Sequence, residues 1–224
     1  MDKKTWQAKS LFSSSAFSFQ KTMINKPLPP SLLTMMTILK LKHNILFNAT
    51  KAGDLATVRA LRESGVDLFN SRQDDGTSSI LLACINGHID LLDYLLEQGA
   101  NPNDQENYGG TCLMAAACYH NPDCVRRLIE AGADVKYVYP GDNASVIYIA
   151  ASGLKEVEEG NLDFEEGSVV RTVELLLEAG APGNTPCIDR VTYRTKTALQ
   201  CLQDMLPFDG KVERERNGLI ALLQ

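Results

Sequence analysis

The apolar positions of this chain follow a helical rhythm that restarts at regular intervals. Leu91, Leu92, Leu95 and Leu96 give one segment an apolar helical face, and Leu175, Leu176 and Leu177 give another. A glycine closes each such segment. LRESGVD around Gly65 recurs as LLEQGAN around Gly99, LIEAGAD around Gly132 and LLEAGAP around Gly180, at spacings of 34, 33 and 48 residues. Small residues stand upstream at matching offsets: Ala49, Ala83, Ala116 and, before an insertion, Ala150. The pattern predicts two helices per unit. The second helix ends where glycine adopts a left-handed cap, and the chain then turns out into a hairpin.

The residue types at fixed offsets have physical reasons. Ser78 or Thr111 can cap the first helix of its unit by accepting an amide hydrogen bond. Ala83, Cys84, Ala116, Ala117, Ala150 and Ala151 are small because two layers of helices must approach closely. One such unit cannot bury its own apolar face, so neighbours must stack and the two ends need polar covers.

At these positions the sequence resembles the ankyrin-repeat family, whose units run G-x-T-P-L-H-x-A-A, then G-H, then an apolar helix ending L-L-x-x-G-A. The second unit, GTSSILLACINGHIDLLDYLLEQGANPN, matches that pattern closely. The third, GGTCLMAAACYHNPDCVRRLIEAGADV, puts His120-Asn121 in place of the Gly-His pair. The first, ILFNATKAGDLATVRALRESGVD, lacks the opening motif. The fourth opens as ASVIYIAASG and carries about fourteen extra residues between its helices. KTALQCLQDML with ERNGLIALLQ reads as a fifth, truncated unit. The resemblance implies an all-α solenoid of about five units with degenerate ends. The expected divisions are a flexible Lys- and Ser-rich arm over 1–29, a capping helix over 30–43, and four repeats over 44–184. An acidic insertion at 154–168 interrupts the fourth, and a degenerate capping repeat occupies 185–224.

Composition fits small, closely packed helices: 44% of positions are hydrophobic and only 7% aromatic. The charge is uneven. Residues 3–53 hold eight Lys and no Asp or Glu, whereas residues 54–224 hold 14 Lys and Arg against 27 Asp and Glu, a net charge of −13. That body repels nucleic acid, so no nucleic-acid partner is expected, and it attracts proteins with a basic patch. The most apolar stretch, Leu32 to Phe47, is broken by Lys40, Lys42, His43 and Asn44, which argues against a spanning helix. The first twenty residues faintly suggest a transit peptide, but they lack Arg, and a flexible tail is the simpler reading. The six cysteines form no C-x-x-C pair, which points to reduced thiols in the cytoplasm, with a nucleus or a host cytosol as alternatives.

Candidate chemistry is sparse. Cys112, Cys118, His120, Asp123 and Cys124 lie within thirteen residues, but their spacings match neither a nucleophile–base pair nor a common zinc motif. His88, at the family's Gly-His position, reads as a local hydrogen-bonding residue at the turn. Asp74-Asp75 and Glu165-Glu166 sit in no calcium loop or glycosidase context. No catalytic residue, cofactor or metal is expected.

What the resemblance implies instead is a partner-binding face on the hairpin tips and the inner side of the first helices. It assigns Asp74, Asp75, Thr77, Ile85 and Asn86 in the second unit, and Asn107, Tyr108, Cys118 and Tyr119 in the third. In the fourth it assigns Asp142 and Ser152, with Tyr137 and Tyr139 on a hairpin one residue longer than its neighbours. Tyr108, Tyr119 and Tyr139 are the expected anchors. Leu162 and Phe164 are the informative residues if the insertion binds something. The expected function is a non-catalytic interaction module, whether adaptor, scaffold or inhibitor. The alternative is a membrane-associated or host-delivered effector whose basic arm docks on anionic lipid while the repeats hold a protein.

Overall fold

Helix α1 (Pro30–Ala52) runs without a break through the segment expected to be a separate cap and into the first repeat. In this computed structural model the described residues are 30–158, 165–183, 185–188, 195–204 and 210–224. The 1–29 arm, Leu162 and Phe164 lie outside them. The chain divides into two units, Met1–Lys42 and His43–Gln224. In the first, the described part is the amino-terminal stretch of α1.

The second unit holds helices in pairs. The carboxyl half of α1 pairs with α2 (Leu55–Glu63), α3 (Ser79–Ile85) with α4 (Ile89–Glu97), and α5 (Cys112–Cys118) with α6 (Pro122–Glu130). Next come α7 (Val146–Glu158) with α8 (Ser168–Glu178), and α9 (Ala198–Asp204) with α10 (Gly210–Leu223). First helices α3, α5, α7 and α9 pack on one another in order, as do second helices α4, α6, α8 and α10. These two layers form the all-α solenoid that the repeat pattern implies.

The capping and packing expectations are met locally. Ser78 Oγ accepts from the Leu81 amide and Thr111 Oγ1 from the Met114 amide at 3.2 Å. Ala83, Cys84, Ala116, Ala117, Ala150 and Ala151 are fully buried between the layers. The second helices α2, α4, α6 and α8 close with the same bond, from the residue after the glycine back five positions: Val66 to Leu61, Ala100 to Leu95, Ala133 to Leu128 and Ala181 to Leu176, at 2.9–3.0 Å. Gly99, with φ of +94°, shows why the position is glycine: a Cβ there would strain the backbone.

Hairpins between units are closed by single bridges, Arg72 to Ser78, Gln105 to Thr111 and Val138 to Ser145, the last one residue longer. The fourth hairpin, ahead of the last helix pair, is a short ladder of β1 (Cys187–Ile188) and β2 (Thr195–Lys196). The insertion in the fourth unit begins as helix, because α7 continues to Glu158.

Candidate functional site

The hairpin tips are cross-linked into a continuous rim. Asn107 donates its backbone amide to the Asp75 carbonyl at 3.0 Å and its side-chain amide to the Asp74 carbonyl at 3.1 Å. Arg72 grips the Asp104 carboxylate with both terminal nitrogens, at 2.6 and 3.2 Å, and Ser78 donates to the same carboxylate. One hairpin further on, Asn103 accepts from the Asp134 amide at 2.7 Å and donates to the Gly132 carbonyl at 3.2 Å. The rim is therefore fixed by side chains that bond to the neighbouring hairpin, which preorganises whatever it presents.

Tyr108 is its most exposed large side chain, at 71%. The loop beneath it is clamped by Glu106, whose carboxylate accepts from the Tyr108 and Gly110 amides at 2.7 Å each. A rigid backbone with a free aromatic side chain is a low-entropy anchor. Tyr119, the residue ending α5, is 39% exposed. Val138 is also exposed on the next hairpin. The repeat pattern did not single it out, and no sequence signal separates it from neighbouring hairpin residues.

The other predicted residues divide by what their side chains already do. Asp74 and Asp75 are exposed, and the Asp75 carboxylate accepts from the Thr77 amide at 2.9 Å, which holds its pKa below the ordinary value. Asn107 is exposed, while Ile85, Asn86, Cys118 and Ser152 are half-buried. Asn86 donates to the Leu82 carbonyl at 2.8 Å and Ser152 to the Ile149 carbonyl at 2.9 Å. Thr77 and Asp142 are buried, a correction to their assignment as surface contacts. Asp142 accepts from the Ala144 amide at 3.0 Å within its hairpin, and its carbonyl accepts from the Ile188 amide at 2.8 Å. Tyr137 and Tyr139 are half-buried and pack against the core, so their rings brace the longer hairpin. Of the three expected anchors, Tyr108 and Tyr119 stand out from the surface and Tyr139 does not.

Cys84, Cys124 and His120 are tuned away from nucleophilic chemistry. Burial pushes the Cys124 thiol up to about 12, with Asp123 and Asp93 adding to it, and burial raises the Cys84 thiol too. Burial pushes His120 down to about 4, so it is a neutral, weakly basic ring at physiological pH. A nucleophile–base pair needs shifts that favour thiolate and imidazolium. His88 donates Nε2 to the Lys51 carbonyl at 2.9 Å, so the bond expected to be local to its turn reaches back to the preceding repeat instead. Among the described residues no cluster of His, Cys, Asp or Glu is placed to hold a metal ion.

Residues 42–139 match a family model of ankyrin repeats in three copies. A putative E3 ubiquitin-protein ligase, XBAT31, of Arabidopsis thaliana is 35% identical over 95 residues, which are 42% of this chain and 21% of that protein. Ankyrin repeat and SAM domain-containing protein 6 of Mus musculus is 32% identical over 91 residues, 40% of this chain and 10% of its own length. A putative ankyrin repeat protein of Rickettsia felis is 31% identical over 87 residues, covering 39% and 28%. The match thus spans a tenth to under a third of the length of these relatives. Helix pairs stacked in two layers, Gly-closed second helices, hairpins at one edge and the family match coincide over one segment: residues 42–139 are ankyrin repeats, and the chain is an ankyrin-repeat protein.

Proposed function

We propose that this protein is a non-catalytic interaction module that holds a basic segment of a partner protein along its hairpin rim and the exposed ends of its first helices. The observation that carries the reading is Tyr108: a 71% exposed aromatic side chain on a loop whose backbone is clamped by Glu106. Exposed tyrosines on rigid loops are inexpensive to order and recur at binding hot spots. The net charge of −13 over residues 54–224, with Asp74 and Asp75 exposed on the same rim, favours a positively charged partner and fast encounter at low salt. Ankyrin repeats in general bind proteins. The relative named as a putative ubiquitin ligase is a much longer chain, and only the binding role is carried over to this one.

The test is a pull-down from cell extract with the intact protein beside a Tyr108→Ala, Tyr119→Ala double variant, the two matched in circular dichroism and melting. A protein recovered by the intact chain and lost at least tenfold from the variant supports the reading, since two hot-spot tyrosines are each worth about 1–2 kcal/mol. Equal recovery by both overturns this face.

A further inference from the structure

We propose that the amino-terminal stretch of α1 lies on an anionic lipid surface, independently of what the repeats hold. Met35, Met36, Ile38, Leu39 and Leu41 are consecutive apolar positions of this helix and are 49–63% exposed. Scattered exposed apolar residues are ordinary, but five large ones on two turns of one helix form a contiguous patch that marks an interaction. At ~100° per residue these side chains cover a wide arc, and Thr37 and Lys40 share the narrower remaining face. Lys42, at the end of the stretch, has a stem long enough to carry its ammonium to a headgroup.

Charge selects the occupant. Residues 3–53 contain eight Lys and no Asp or Glu, so this whole segment is positive while residues 54–224 carry −13. A second copy of the helix would add two more lysines and no acid to neutralise any of them. A bilayer with anionic headgroups meets both needs at once: its acyl boundary accepts Met, Ile and Leu, and its surface potential attracts Lys. The same potential repels the acidic repeats, which stay in water and keep their partner-binding rim accessible. The mode is interfacial, since no helix among the described residues is long and apolar enough to cross a membrane.

The full chain is tested by sedimentation with large vesicles of phosphatidylcholine alone and of phosphatidylcholine with about 30% phosphatidylserine. Binding is expected to the anionic vesicles, at least about tenfold above the neutral ones, and to weaken with salt. Met35→Ser, Met36→Ser, Leu39→Ser should abolish it, and Lys40→Gln, Lys42→Gln should weaken it about fivefold per lysine removed. Met35, Met36, Leu39 and Lys40 are exposed and Lys42 is half-buried, so the circular dichroism of the repeats serves as the folding control. Three outcomes overturn the proposal: no sedimentation with anionic vesicles, equal sedimentation with neutral ones, or binding unchanged in the serine variant. Sedimentation velocity without lipid provides a further arm: a dimer that the serine variant dissolves assigns the face to a second copy instead. The result is separable from the proposed function, because pull-down through Tyr108 and Tyr119 does not involve α1.

Discussion

Asn121 donates its side-chain amide to the Cys84 carbonyl at 2.9 Å, reaching from the third repeat to the first helix of the second. His88 makes the equivalent bond one repeat earlier, from Nε2 to the Lys51 carbonyl at 2.9 Å. The departure from the family's Gly-His pair thus keeps the inter-repeat bond and changes only the side chain that makes it. Asn121→Ala should cost about 1–2 kcal/mol, because it leaves a half-buried carbonyl without its donor. Asn121→His should restore most of that. Urea melts of the three proteins check it, and equal midpoints for the alanine and parent proteins would rule the bond out as a stabilising contact.

His120 occupies the glycine position of the same pair, with φ of +54° and its ring buried. Burial holds its pKa near 4, against 6.5 for the ordinary group. The unfolded chain therefore binds the extra proton between these values. The stability linked to His120 is fully present above about pH 6.5, falls as the pH drops, and is gone by about pH 4, with a total of up to about 3 kcal/mol. His120→Asn tolerates the left-handed backbone and does not titrate. Its melting temperature should fall less than the parent's between pH 7 and pH 4.5, and identical slopes would count against the assignment.

Glu215, on α10, caps a helix that cannot cap itself. Gly167 precedes α8 and brings no side chain, and the buried Glu215 carboxylate accepts from the Gly167 amide and from the Val170 amide at 2.9 Å. Arg214 holds the adjacent Glu166 with two bonds, at 2.5 and 3.0 Å. Glu215→Ala should destabilise the last two repeats by about 1–3 kcal/mol. Hydrogen exchange should speed up at Val170 and through α8, while the Leu92 and Leu95 amides of the second repeat keep their protection. Uniform acceleration along the chain would contradict so local a role.

Two glycines with similar backbones should respond differently to alanine. Gly99 has open space around a Cβ, so Gly99→Ala costs only the left-handed strain, about 1 kcal/mol. At Gly53, with φ of +70°, a Cβ lies 2.8 Å from His88 Nδ1 and pushes the ring off its bond to Lys51. Gly53→Ala should cost about 1–3 kcal/mol more. Thermal melts of the pair, with His88→Ala as background, decide it: the excess cost should vanish once the ring is removed.

Much of the fold was legible because it is built from local rules repeated at one period. The glycines at 65, 99, 132 and 180, the caps at Ser78 and Thr111 and the alanines between layers each answer a need that lies within one unit. Repetition then multiplies the signal. The exposed face of the proposed binding rim was only partly legible. Asp74, Asp75, Tyr108 and Tyr119 are exposed where the repeat offsets put them, whereas Thr77 and Asp142 turned inward to close their own hairpins and Tyr139 lies against the core. An offset fixes where a residue sits along the unit, and burial depends on the neighbouring hairpin as well.

The sequence by itself determined the repeat, its two helices, the closing glycines and the separation of a basic beginning from an acidic body, since all of these are properties of local residue type and spacing. Tertiary structure alone decided which side chains would join one unit to the next: Asn121 to Cys84, Asn103 to Asp134, Glu215 to Gly167. It also decided that α1 would run unbroken from Pro30 to Ala52 with Met35, Met36, Ile38, Leu39 and Leu41 exposed. The physical reason is that such pairs lie some thirty to fifty residues apart and leave no periodic trace. Whether they meet is set by how each unit packs on the next, which no single unit encodes.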